Sequence, residues 1–88
     1  MEGYLYILKS DRNGRYYIGS TSDLERRVTE HNRGQTKSTA KLAPWKLVFS
    51  KLFPDVIVAM QFERRLKKMK SRKIIEKIIL EQKICMGQ

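Results

Sequence analysis

Five side chains, Tyr6, Tyr17, Arg27, His31 and Glu63, have the types and spacing that phosphodiester chemistry needs, and one small α/β fold could gather them around a single phosphate. A guanidinium grips phosphate oxygens in a bidentate way. An imidazole holds or accepts a proton near neutral pH. A lone carboxylate such as Glu63 could hold one Mg²⁺, because that ion takes one or two carboxylates and fills its other positions with water and substrate phosphate oxygens. Two tyrosines on one face of a sheet would present two phenol oxygens to a water or a phosphate. A phenol normally titrates near ~10, so a tyrosine base at neutral pH needs a metal or a nearby cation.

Three of these residues also have a plainer reading. Arg27 could snorkel to solvent or pair with Glu63, His31 could be an ordinary helix-boundary residue, and Glu63 could be an i,i+4 partner of Lys67. The other acids, Glu2, Asp11, Asp23, Glu25, Glu30, Asp55, Glu76 and Glu81, form no DxD, HxxE or paired-carboxylate pattern. That spacing argues against a two-metal site.

The elements that must position these residues follow from local patterns. Residues 3–9 (GYLYILK) and 15–20 (RYYIGS) are rich in aromatic and branched side chains and flank Asn13-Gly14, a pair that favours a tight turn, so a β-hairpin is expected. A two-residue loop at Asn13-Gly14 and a four-residue loop both place Tyr6 and Tyr17 on one face. Ser22 and Glu25 form a capping-box pattern that opens a helix over residues 23–33, with Gly34 placed to end it. Leu24, Arg27, Val28 and His31 recur at helical spacing and should face the sheet. Residues 35–44 read as a basic polar loop. A third strand follows, with Trp45, Leu47 and Phe49 alternating against Lys46, Val48 and Ser50. Asp55 is a natural N-cap for a helix whose apolar stripe is Ala59, Phe62, Leu66 and Met69, with Glu63 at its edge. Ser71 caps or kinks the start of a last helix carrying Ile74, Ile75, Ile78 and Ile79. The expected order is β-β-α-β-α-α.

The chain of 88 residues is read as one domain, and 19 Lys+Arg against 9 Asp+Glu give a formal net charge of +10. A basic surface gains affinity for nucleic acid by releasing counterions from the phosphate backbone, so a polyanion is the expected partner. Lys37, Lys41, Arg64, Lys67, Lys70 and Lys73 are the candidate contacts, Arg64 to Lys73 lying in or beside the basic run LKKMKSRK. Cys85 is the single cysteine, so neither an intrachain disulfide nor a cysteine metal cluster is expected. No apolar run reaches the ~20 residues of a membrane span, and the N-terminal stretch is too polar for a signal peptide; a cytoplasmic protein is expected.

These residues together resemble the GIY-YIG nuclease domain, in particular the small stand-alone members related to the excinuclease subunit UvrC. The resemblance runs in order through about residues 3–80: Tyr4-Leu5-Tyr6, Tyr17-Ile18-Gly19, Thr21, DLERR with Arg27, His31-Asn32, Gly34, and Glu63 in FERRLKKMK. Tyr4 and Leu5 stand where the family name has glycine and isoleucine. The last helix has no evident asparagine where some family enzymes contact phosphate, which leaves Lys70 or Lys73 for that part. The resemblance implies an α/β (α+β) fold, a three-stranded antiparallel sheet with surrounding helices. It also implies endonucleolytic hydrolysis of DNA by in-line attack of water, in repair, recombination or nucleic-acid turnover. One Mg²⁺ or Mn²⁺ would sit on Glu63, Arg27 would stabilise phosphoryl charge, and Tyr6 or Tyr17 would orient or deprotonate the water. His31 would position a tyrosine or relay its proton, and Gly19 would allow close approach of the backbone. Branched or damaged DNA and a larger repair complex are the implied partners. The alternatives from other classes are a nucleic-acid-binding module without turnover and a protein-interaction subunit of a larger nuclease complex.

Overall fold

The computed structural model describes residues 1–83, apart from the side chain of Ser38; Cys85 lies outside the described residues. Strand β1 (Gly3–Ser10) is the centre of a three-stranded sheet ordered β2-β1-β3, with β2 (Tyr16–Thr21) and β3 (Trp45–Phe53) antiparallel to it on either side. Helices cover both faces: α1 (Leu24–Asn32) and the one-turn α2 (Lys37–Ala40) on one, α3 (Val56–Met69) and α4 (Arg72–Glu81) on the other. A central strand covered on both sides has no solvent face, which is why β1 reads Leu5-Tyr6-Ile7-Leu8 without a polar interruption. Leu5 and Ile7 pack with Ile18, Phe49, Phe53, Ala59, Leu66 and Ile78, and Tyr6 and Leu8 pack with Trp45 on the other face. Among the described residues no helix is long and apolar enough to cross a membrane.

The β1–β2 turn is the longer of the two expected alternatives. The Ser10 N–H donates to the Arg15 carbonyl (2.8 Å) and Gly14 N–H to the Ser10 carbonyl (2.9 Å), enclosing a loop of residues 11–14 with Gly14 at φ +75°. The resulting register sets Tyr6 opposite Gly19 and Leu8 opposite Tyr17. Tyr6 and Tyr17 are therefore diagonal neighbours on one face, as expected.

Four local expectations are corrected. The cap of α1 is Asp23 rather than Ser22, its carboxylate accepting from Arg26 N–H at 3.2 Å. The supposed loop contains α2, where the Thr36 carbonyl accepts from both Thr39 N–H (3.1 Å) and Ala40 N–H (3.0 Å). Trp45, Leu47 and Phe49 do not share a face: Ile7 pairs with Phe49 but Leu8 with Leu47, so Val48 is an extra residue that reverses the alternation. The bulge sends Trp45 to the Tyr6 face and Phe49 to the opposite core. Met69 is exposed rather than buried, because α3 ends beside it at Lys70, which takes a left-handed conformation at φ 49°.

The remaining helix signals hold. Asp55 caps α3 at Ile57 N–H (2.9 Å), and Ser71 caps α4 at Ile74 N–H (3.3 Å). Helix α1 ends in a Schellman motif, with Gln35 N–H on the Glu30 carbonyl (3.0 Å) and Gly34 N–H on the His31 carbonyl (3.2 Å), Gly34 supplying φ +74°.

Candidate active site

Four elements meet around the Tyr6 hydroxyl. Strand β1 delivers Tyr6 and strand β2 delivers Tyr17, their ring centroids 6.4 Å apart. Helix α1 lays Leu24 and Val28 on the same sheet face, and that stripe carries Arg27 and His31 into the site. His31 is fully buried, its ring centroid 4.8 Å from that of Tyr17, and its Nε2 lies 3.0 Å from the Tyr6 hydroxyl. Helix α2 closes the far side of the ring, where Nδ1 lies 2.8 Å from Thr39 Oγ1.

Gly19 makes the packing possible. A Cβ at this position would run into the phenol of Tyr6, which lies across the strand where a side chain would otherwise stand. The close approach expected at Gly19 is thus an approach by Tyr6 itself.

Glu63 reaches the site from the other face of the sheet, around the free edge of β2. Its carboxylate accepts from Ser20 Oγ (2.5 Å) on one oxygen and from Lys67 Nζ (2.6 Å) on the other. The i,i+4 pair with Lys67 is therefore formed, and the same ammonium lies 5.6 Å above the Tyr17 ring. Arg27 pairs with Glu30 (3.1 Å) and not with Glu63, while Glu30 also accepts from Arg26 (3.0 Å). A polar cleft of about 230 Å³ opens beside Arg27, lined by Ser20, Thr21, Ser22, Arg26 and Glu30 among others.

The electrostatics follow from this packing. Burial pushes the Tyr6 phenol up to about 12, against the opposing pull of the Arg27 guanidinium beside it. The Tyr17 and Glu63 charges push the same way as burial, so both belong to the electrostatic surroundings of the phenol. His31 is held below its ordinary value, first by burial and then by the Arg27 charge, so its ring is neutral near pH 7. The contact with Tyr6 raises Arg27, and the two arginines, Arg26 before Arg27, lower Glu30.

Of the expected nucleic-acid contacts only Lys67 is tied into this cluster. Lys37 and Lys41 are exposed on and after α2, on the His31 side of the sheet. Arg64, Lys70 and Lys73 are exposed along α3 and α4, with Lys70 at the junction of the two helices. No group of three or more metal-binding side chains occurs among the described residues. Two carboxylates border the cluster: Glu30 on Arg27, and Glu63, reached through Ser20 and Lys67.

A family profile described as the GIY-YIG catalytic domain matches residues 2–77, the span that holds every residue of this cluster. The chain belongs to the GIY-YIG family. A relative, a UPF0213 protein of Streptococcus pneumoniae serotype 4, is 40% identical over 70 residues, covering 78% of this chain and 70% of its own. The solution structure of the UPF0213 protein BH0048 from Bacillus halodurans has a TM-score of 0.59 at 34% identity, over 93% of this chain and 87% of that one. A structure-specific endonuclease subunit SLX1 homolog of Drosophila mojavensis is 44% identical over 55 residues, which are 57% of this chain and 18% of that protein.

Three polar residues to which the sequence reading gave no role support this cluster. Ser20 holds Glu63, Thr39 holds His31, and Asn32 ties α1 to β3 by accepting from Trp45 N–H while donating to its carbonyl at 3.1 Å. Thr39 lies in a stretch without periodicity. Asn32 belonged to the matched His31-Asn32 pair, yet its part is structural: it seats the end of α1 so that His31 lies over the sheet.

Proposed function

We propose that this protein is a metal-dependent DNA endonuclease that hydrolyses a phosphodiester at the free edge of β2. The observation that carries the reading is the buried Tyr6–His31 hydrogen bond at 3.0 Å, with Arg27 beside the same phenol. A phenol held near 12 is a poor base by itself. It becomes an effective one when it passes its own proton to the neutral imidazole as it takes one from the attacking water, so no free phenolate forms. Arg27, with 38% of its side chain exposed at the polar cleft, keeps donors beyond those on Glu30 and Tyr6 to turn toward the phosphoryl oxygens as negative charge builds on them. Tyr17 packs on the His31 ring and presents its phenol on the same face, where it orients the water or the phosphate.

Glu63 fits a single divalent ion. Each of its oxygens is engaged by one donor, Ser20 or Lys67, which leaves further lone pairs on both, and Mg²⁺ asks for one carboxylate when water and phosphate complete its shell. Bound there, Mg²⁺ or Mn²⁺ would supply charge neutralisation at the phosphate and at the leaving oxygen. Lys37, Lys41, Arg64, Lys70 and Lys73 would bind the DNA backbone on either side, and Lys67 would pass from Glu63 to a phosphate. The name of the SLX1 relatives, structure-specific endonuclease subunit, supports a structured substrate such as branched DNA and a larger assembly as the setting.

Nicking of supercoiled plasmid with Mg²⁺ or Mn²⁺, by wild type and by folded Glu63→Ala and Arg27→Ala proteins, tests the reading. Nicking lost in both variants supports it. A wild type that shifts DNA in a gel with strong salt dependence, yet nicks neither plasmid nor branched DNA, replaces it with a binding module.

A further inference from the structure

We propose that Thr39 is a positioning residue which holds His31 in its Nδ1–H tautomer and so keeps Nε2 open for the proton of Tyr6. The proposal rests on the nuclease reading for its consequence and on hydrogen-bond chemistry for its substance. Thr39 is 1% exposed and is pinned from several sides. Its N–H donates to the Thr36 carbonyl, and its own carbonyl accepts from Trp45 Nε1 (2.8 Å) and Leu42 N–H (3.2 Å). A hydroxyl has one proton to give. Thr39 Oγ1 has a second partner in the Thr36 carbonyl at 3.3 Å, an oxygen that can only accept and that also takes the Thr39 and Ala40 N–H groups. With its proton there, the hydroxyl is an acceptor toward His31 Nδ1, 2.8 Å away, and Nδ1 carries the ring proton.

The other end of the ring leads to the same assignment. Arg27 has donors only, so Nε2 at 3.0 Å is the acceptor available to the buried Tyr6 O–H. With the proton on Nε2 instead, both buried hydroxyls would have to reorient, and Tyr6 would face Arg27 and Nε2–H with its own proton unplaced. The imidazole is thus wired in one direction, from Tyr6 through Nε2 to a ring whose far nitrogen rests on Thr39. When Tyr6 passes its proton on, the O–H bond of Tyr6 breaks and an Nε2–H bond forms. The water proton replaces the one Tyr6 has lost, and Thr39 accepts from the imidazolium as it did from the neutral ring. A threonine eight residues beyond the histidine, in an otherwise basic polar stretch, thereby decides which nitrogen is the base.

His31 is the single histidine of the chain, so its ring nitrogens can be read without assignment ambiguity. The experiment is ¹⁵N NMR of the His31 ring near pH 7.5 in wild type, Thr39→Val and Thr39→Ser, paired with plasmid-nicking kinetics of the same proteins. The expected result is an Nδ1–H ring in wild type and Thr39→Ser, a loss of that preference in Thr39→Val, and kcat for Thr39→Val reduced at least tenfold at unchanged KM. A wild-type ring protonated on Nε2 overturns the proposal, as does a Thr39→Val ring that keeps Nδ1–H. Should Thr39→Val fail to fold, Thr39→Ala takes its place and the wild-type spectrum still decides the tautomer. A wild type with the expected tautomer, dependent on Thr39, that nicks no DNA overturns the nuclease reading and leaves the tautomer assignment standing.

Discussion

Tyr6 and Gly19 face each other across the β1–β2 ladder, and the phenol of the first occupies the space that a Cβ on the second would need. The contact cannot relax cheaply, because Tyr6 is 1% exposed and is held from beyond by His31. Gly19→Ala should therefore cost about 1–3 kcal/mol as an overpacked core substitution. It should also displace the phenol from Nε2. Urea unfolding gives the first quantity, and nicking at saturating DNA, reduced at least tenfold, reports the second.

Tyr6→Phe removes one oxygen and leaves the ring. Nicking should fall by two or more orders of magnitude, on the order of what a positioned acid or base contributes. Stability should fall by about 1–3 kcal/mol, because Nε2 of the buried His31 loses its partner. Tyr4→Phe is the control, since no hydrogen bond from that half-buried phenol enters the site, and it should change neither quantity.

Acid should loosen this protein through His31. Its folded pKa lies below the ordinary 6.5, so below that pH the unfolded chain binds a proton that the native ring refuses. The stabilising share of His31 is complete above pH 6.5 and is lost as the pH falls from there to the lower folded value. The urea midpoint of wild type should drop more between pH 7.5 and pH 5 than that of His31→Gln, in which this titration is gone. Equal drops would remove the buried neutral imidazole from the account.

Base acts on Tyr6 with the opposite sign. With the phenol raised from 10 to about 12, the stability it contributes is complete below pH 10 and is lost as the pH climbs to about 12. Ultraviolet titration should show one of the four tyrosines ionising late, and that step should be missing from Tyr6→Phe.

A divalent ion on Glu63, as proposed, would compete with Lys67 for one of its oxygens, from which the ammonium stands 2.6 Å away. Lys67→Met should lower the Mn²⁺ concentration needed for half-maximal binding several-fold, and Glu63→Gln should abolish that binding. Because Lys67 would also contact DNA, the same variant should bind DNA more weakly and with a shallower salt dependence. Paramagnetic broadening of the Tyr17 resonances reads the first effect and gel shifts the second.

Hydrogen-bonded caps and side-chain alternation act over a few residues, and so the sequence by itself determined much of this protein. The hairpin parity that places Tyr6 and Tyr17 on one face, the stripe that turns Arg27 and His31 inward, the caps at Asp55 and Ser71, and the stop at Gly34 were all legible without coordinates. Even the choice between a two-residue and a four-residue turn did not matter, because both preserve the same parity. Tyr6, Tyr17, Arg27 and His31 meet on one face for this reason, whereas Glu63 comes from α3 on the other.

Contacts between distant segments were decided by the tertiary structure alone. Val48 reads as an ordinary strand residue, yet the bulge it forms against Ile7 and Leu8 reverses β3 and sends Trp45 to the Tyr6 face beside Tyr17. Met69 keeps the helical period of α3 but is exposed, because the chain turns at Lys70 before a neighbour can cover it. Ser20, Asn32 and Thr39 are small polar residues whose types suit any surface. Their parts arise from what lies 43, 13 and 8 residues away, at Glu63, Trp45 and His31. A local pattern specifies which way a side chain points, and only the packed fold specifies what it meets there.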